Sequence, residues 1–128
     1  MRRFLPGLML ALLVGCSPRL NIDKKLIELS TDGVTFELQP VKAEQKIYVD
    51  ATATGGAIDV YIYLTKNKAA AEKDIFAKKN DNLIERAEDK ESVSLQATIP
   101  ANEEASVWVK ATKLNKPTAS VEIRNKPK

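Results

Sequence analysis

Apolar and polar residues alternate with a period of two through most of this chain. Val34, Phe36 and Leu38 are interleaved with Thr35 and Glu37, and Ile47, Val49 and Ala51 with Tyr48, Asp50 and Thr52. The clearest run sets Ile58, Val60, Ile62 and Leu64 against Asp59, Tyr61, Tyr63 and Thr65. Val93, Leu95, Ala97 and Ile99 follow, then Val107, Val109 and Ala111 around Trp108, and finally Val121 and Ile123. A pleated strand turns successive side chains to opposite faces, so each run predicts a strand with one buried face. The β-branched and aromatic content suits that surface.

Turn residues separate the runs. Asp32-Gly33 lies between residues 26–31 and 34–38 and predicts a tight hairpin. Gly55-Gly56 divides the next two strands, and Pro100-Ala101-Asn102-Glu103 the two after those. Short strands with one apolar face need a second layer to cover it, which makes two packed sheets the simplest arrangement. The predicted fold is all-β, a small antiparallel β-sandwich of about 7–8 strands. Residues 68–79 depart from the alternation, with Ala69-Ala70-Ala71 and then Ile75-Phe76. They predict one short helix or compact loop, placed across an open end of the sandwich. Residues 83–87 suit either a strand or one helical turn, and strand is the preferred reading.

The first residues follow a different logic. Met1-Arg2-Arg3 is a cationic start, and residues 4–14 form an apolar run broken only by Pro6 and Gly7. A run this short cannot cross a hydrocarbon core of about 30 Å as a helix. It reads as an export signal. It ends in Leu13-Val14-Gly15-Cys16, which resembles the lipobox of bacterial lipoproteins. That resemblance implies cleavage between Gly15 and Cys16, diacylglycerol on the Cys16 sulfur and a palmitate-type chain on the new amino group. Each buried CH₂ contributes about 0.8 kcal/mol, so two or three acyl chains hold a protein on its membrane. Ser17 resembles the outer-membrane sorting class of enteric-type bacteria. The expected location is the cell envelope: the outer membrane under that rule, otherwise the extracytoplasmic face of the plasma membrane. The organisation is then residues 1–15 as signal, 16–25 as lipidated cysteine and tether, 26–125 as one domain and 126–128 as a tail.

Composition narrows the chemistry. Of 128 residues, 44% are hydrophobic and 29% charged, values of an ordinary globular fold. The formal charge of +3 falls to +1 once Arg2 and Arg3 leave with the signal, so no nucleic-acid partner is expected. Lys110, Lys113, Lys116, Arg124, Lys126 and Lys128 face only Glu122 near the C-terminus. A solvated strand face and a frayed tail account for this excess, with weak attraction to an anionic lipid or glycan surface as the alternative. The chain has no His, which excludes imidazole-based zinc sites and His-dependent nucleophiles. Its one Cys is Cys16, so the domain has no internal disulfide.

Phe36-Glu37-Leu38, Ile47-Tyr48-Val49-Asp50, Ile58-Asp59-Val60-Tyr61-Ile62-Tyr63, Thr98-Ile99-Pro100-Ala101 and Val107-Trp108-Val109 share the strand rhythm of known modules. The layout over about residues 33–125 resembles pre-peptidase C-terminal domains and the related collagenase-type binding β-sandwiches. The first Asp of their strand motif has no counterpart at Gly56 or Ala57. Related sandwiches bind calcium, which makes Asp50 and Asp59 the calcium candidates here. Asp74 and Asp81 are separate from them, no acidic loop of EF-hand type occurs, and solvated faces explain all four. No metal or other cofactor is therefore expected.

Tyr61, Tyr63 and Trp108 are the candidate binding face, for stacking on a sugar or gripping a peptide; the competing reading makes them support for the core. Glu85, Glu88, Asp89 and Glu91 alternate with Arg86 and Lys90 and read as a solvated face rather than an acid–base pair. Thr52-Ala53-Thr54-Gly55-Gly56 lacks the Lys of a phosphate loop and reads as a turn. The expected function is that of a membrane-anchored, non-catalytic interaction module binding an envelope protein or glycan. The alternative is a structural or accessory subunit of a larger envelope complex.

Overall fold

A computed structural model describes residues 19–127. Eight strands lie within that span: β1 (Asn21–Glu28), β2 (Val34–Leu38), β3 (Gln45–Thr54), β4 (Ile58–Leu64), β5 (Glu85–Lys90), β6 (Ser92–Ile99), β7 (Ala105–Ala111) and β8 (Thr118–Arg124). A 3₁₀ turn (Thr65–Asn67) leads into one helix, α1 (Lys68–Ala77). The strands form two four-stranded antiparallel sheets, ordered β1-β8-β3-β6 and β2-β7-β4-β5. The fold is a small β-sandwich.

The period-two pattern places the core directly. Ile47, Val49 and Ala51 of β3, with Val121 and Ile123 of β8, turn inward from one sheet. Ile58, Val60 and Ile62 of β4, with Val107 and Val109 of β7, meet them from the other. Each of these side chains is at most 1% exposed. Burying a Val or Ile fully stabilises by about 1.5–3 kcal/mol, so this layer dominates the folding energy.

Asp32-Gly33 does not close a hairpin. β1 pairs with β8 and β2 with β7, in different sheets, so residues 29–33 form a corner crossing the sandwich. The Ser30 carbonyl accepts from Gly33 N at 3.1 Å and from Ala111 N at 2.9 Å, tying the corner to the end of β7. Gly33 has φ +68°, and a Cβ there would lie 2.2 Å from the Val109 carbonyl oxygen, so the corner needs glycine for space as well as for conformation. The expected tether is also shorter than predicted. Residues 21–25 belong to β1, since Asn21 opposes Arg124 and Asp23 opposes Glu122. Their strand character was hidden by a bulge between Lys24 and Ile27, where Leu26 adopts φ +56° and breaks the alternation.

The helix sits on the outer face of the second sheet rather than across an open end. Ala71 and Ile75, one turn apart, pack on Tyr61 and Tyr63 of β4, with Leu83 and Trp108 at the margin. Only this row is apolar on the inner side. The helix stops at Lys78, whose left-handed φ of +60° lets Lys79 N bond the Asp74 carbonyl at 2.8 Å. The buried Asp74 side chain then accepts from Asn82 N at 2.7 Å and Asn82 Nδ2 at 3.0 Å, pinning the connection that runs on to β5. Residues 85–87 are strand, as preferred from the sequence.

Candidate functional site

The outward face of the second sheet carries a cross-strand row. Arg86 of β5 opposes Tyr61 of β4, Tyr61 opposes Trp108 of β7, and Trp108 opposes Thr35 of β2. The Arg86 guanidinium lies 5.4 Å from the Tyr61 ring centroid, and the Tyr61 and Trp108 rings lie 5.6 Å apart with a 39° tilt. Lys110 Nζ stands 5.7 Å from the Trp108 ring. These are attractive aromatic and cation–π geometries, and they fix the ring planes.

The three aromatics of the expected binding face lie on one side of this sheet, with α1 packed over the two tyrosines. Tyr61 and Tyr63 are each 1% exposed, packed under Ala71 and Ile75 of α1. Alternation along β4 showed that they point outward but carried no sign of the helix above. Trp108 is half-buried; its Nε1 donates to the Asp32 carbonyl at 2.7 Å and holds the indole against the corner.

Beside the helix the sheet stays open. A groove of about 620 Å³ runs between α1 and the β1–β2 corner. Tyr63, Trp108, Thr35 and Lys110 form its floor, Lys68, Glu72, Ile75 and Phe76 one wall, and Thr31 and Asp32 the other. Phe76 is 89% exposed. It lies one position off the Ala71–Ile75 row and therefore projects from the helix instead of packing under it. That offset was readable in the sequence, although the groove partners, Lys68, Glu72, Thr31, Thr35 and Lys110, were not. The lining combines aromatic, hydroxyl, cationic and anionic groups around a hollow large enough for a short peptide or oligosaccharide segment.

Asp50 and Asp59 lie in different sheets. Asp59 is 5% exposed and faces three donors: Thr112 Oγ1 at 2.6 Å, Asp89 N at 2.9 Å and Lys110 Nζ at 3.2 Å. Asp50 receives Ser94 Oγ at 2.8 Å and the Arg124 guanidinium. Both carboxylates are thus held by protein donors. Among the described residues no group of three or more His, Cys, Asp or Glu side chains is arranged to hold a metal ion.

The acidic stretch of β5 is less solvated than its composition suggests. The Tyr61 hydroxyl donates to Glu88, and Arg86 Nη2 reaches the same carboxylate at 3.0 Å. Burial, reinforced by the hydrogen bond to Glu88, raises the Tyr61 hydroxyl well above the usual tyrosine range. Burial also raises Tyr63. For Glu88, burial opposes ionisation, but the hydrogen bonds from Tyr61 and Arg86 outweigh it and lower the carboxyl below its ordinary value. An ionised Glu88 under a protonated Tyr61 is a structural clamp between β4 and β5. Gly15 and Cys16 lie outside the described residues, as do Ser17 and Lys128.

No protein-family model matches the sequence, and no curated protein matches it. Several solved structures are similar in fold. The pre-peptidase C-terminal domain of a Bacillus anthracis collagenase matches with a TM-score of 0.47 and 9% identity, over 82% of this chain and 88% of that one. The C-terminal carbohydrate-binding module of a laminarinase from Zobellia galactanivorans matches at 0.42 and 6%, over 84% and 99%. The globular domain of a zebrafish complement protein matches at 0.45 and 12%, over 83% and 94%. These likenesses transfer no ligand and no residue role to this chain.

Proposed function

We propose that this chain is a lipid-anchored, non-catalytic binding module of the bacterial cell envelope, and that its partner, a protein or a glycan, seats in the groove beside α1. The observation that carries the binding reading is the groove itself, an open hollow with Trp108 in its floor and an unburied Phe76 on its wall. The residues around it bind and orient. Asp59 and Glu88 of the same face are engaged by protein donors, and the carboxylate residues lining the hollow are Asp32 and Glu72.

The groove has a built-in reporter, because Trp108 is the one tryptophan of the chain. A ligand that enters should shift Trp108 emission saturably. Oligosaccharide fragments and extended peptides are the two ligand classes to titrate. Phe76→Ala should weaken such binding without lowering the melting temperature. An emission shift that survives Phe76→Ala and Lys68→Glu together at full strength places the ligand elsewhere and overturns the assignment.

The anchor reading rests on Leu13-Val14-Gly15-Cys16. Palmitate labelling of the wild-type chain in cells, absent from Cys16→Ser, is the expected result. A Cys16→Ser chain that keeps both label and membrane fraction ends that reading.

A further inference from the structure

The start of β1 and the end of β8 lie at one end of the sandwich. Asn21 opposes Arg124, Arg124 opposes Tyr48, and Leu20 N bonds the Asn125 side chain at 3.1 Å. The connection of residues 39–44 belongs to this end, and so does that of residues 100–104, joined to it by the bond from Asn102 N to the Val41 carbonyl at 2.7 Å. The corners of residues 29–33, 55–57 and 112–117 lie at the opposite end. The ten residues of β3 separate the two ends by about 30 Å.

Charge differs between these ends. Arg19, Lys42, Lys46 and Lys126 are exposed at the terminal end, and no ion pair among the described residues engages them. Of the acids there, Glu103 is neutralised by Lys66 at 2.7 Å, leaving Glu37, Glu44 and the half-buried Glu104 against four cations. At the far end Lys90, Lys113 and Lys116 are balanced by Glu28, Asp32 and Glu91.

Resting on the anchor reading above, we propose that the terminal end of the sandwich lies against an anionic phospholipid surface, with Arg19, Lys42, Lys46 and Lys126 as its headgroup contacts. Four residues separate Cys16 from the start of β1, at most about 18 Å of extended chain over the five steps to Asn21. A leash that short brings this end, and not the far one, within headgroup distance. Cations there gain from a negative surface potential that decays within a Debye length of about 10 Å. The sandwich then stands upright, with the groove opening sideways and the residue 112–117 corner farthest from the bilayer.

The contact can be tested without the lipid. The chain from residue 17 onward, whose described part closes its own core, is mixed with vesicles of one part phosphatidylglycerol to two parts phosphatidylcholine, and with pure phosphatidylcholine. Partition into the anionic vesicles should be about tenfold stronger and should vanish as salt is raised. K42E/K46E/K126E should abolish the preference, while K113E/K116E leaves it. Equal partition into both vesicle types, or equal loss from the far-end variant, overturns the proposal. Should the triple variant fail to fold, the single change K42Q and the salt dependence of the wild type decide in its place. Palmitate labelling of the full chain reads the anchor separately, so failure of the basic end and failure of the anchor give different results.

Discussion

Asp59→Ala is the most informative single perturbation of the domain. The carboxylate sits on β4 directly opposite Lys110 of β7, 5% exposed, and three elements converge on it. Oδ1 takes the Thr112 hydroxyl at 2.6 Å and the Asp89 amide at 2.9 Å, and Oδ2 faces Lys110 Nζ at 3.2 Å. Hydrogen bonds to a charged group contribute about 1.5–3 kcal/mol each, and breaking a buried ion pair costs about 3–5 kcal/mol. These figures do not add, because all three share one carboxylate. Lys110 keeps an outlet, with 18% of its side chain exposed and the Trp108 ring beside it, which discounts the stranded charge. The expected loss is about 3 kcal/mol, near 10 °C in melting temperature for a domain of this length. Asp59→Asn keeps an oxygen for Thr112 and Asp89 and loses only the charge, so about half that cost is expected. Urea denaturation at constant m-value measures both, with Asp59→Asn/Lys110→Met closing the cycle. A loss below about 1 kcal/mol for the alanine variant, or equal losses for alanine and asparagine, would refute the account of Asp59 as a charged three-way tie.

Other outcomes follow from the same contacts. Ile75→Ala should cost about 2 kcal/mol by loosening α1 from Tyr61 and Tyr63, while Phe76→Ala should stay within about 0.5 kcal/mol, both by thermal denaturation. Gly33→Ala should cost more than about 3 kcal/mol, because its Cβ meets backbone at 2.2 Å and the residue must hold φ +68°; near-wild-type stability would show that the corner can shift. Glu88 has a lowered carboxyl in the folded chain, so its stabilisation is present above the unfolded value and is lost as pH falls through the folded one. Tyr61 is raised, so its contribution is full below the usual tyrosine value and is lost as pH climbs past it. Stability curves of Tyr61→Phe against wild type should therefore converge at the acid extreme, where Glu88 is protonated, and separate at neutral pH. Parallel curves from acid to neutral would remove the Tyr61–Glu88 clamp.

Alternation located β2, β3, β4, β6, β7 and β8 because those strands keep one face in a single dry interior. It gave no pairing, since a period of two is the same whichever strand lies alongside. The Asp32-Gly33 hairpin went wrong for that reason: the glycine serves a corner whose partner is the distant end of β7. The first half of β1, residues 21–25, reads as tether because its exposed residues and its bulge at Lys24/Ile27 erase the rhythm. The cover over the candidate face was hidden in a related way. Tyr61 and Tyr63 point outward as read, but the helix that covers them packs through Ala71 and Ile75, two of six apolar residues that form no marked stripe along its ten positions. Of the three aromatics Trp108 is the most exposed, and it lines the groove together with Tyr63.

The strand order has a temporal meaning. β8 stands between β1 and β3, so the first strand made has no sheet partner until the last one has been synthesised. Most ladders likewise join segments far apart in sequence, an arrangement that slows folding because long loops must close before pairing is rewarded. A nascent copy missing its final residues cannot complete either the β1 edge or the β3 flank. Of the first sheet only the β3–β6 pair can form before β8 exists, whereas the second sheet needs neither β1 nor β8.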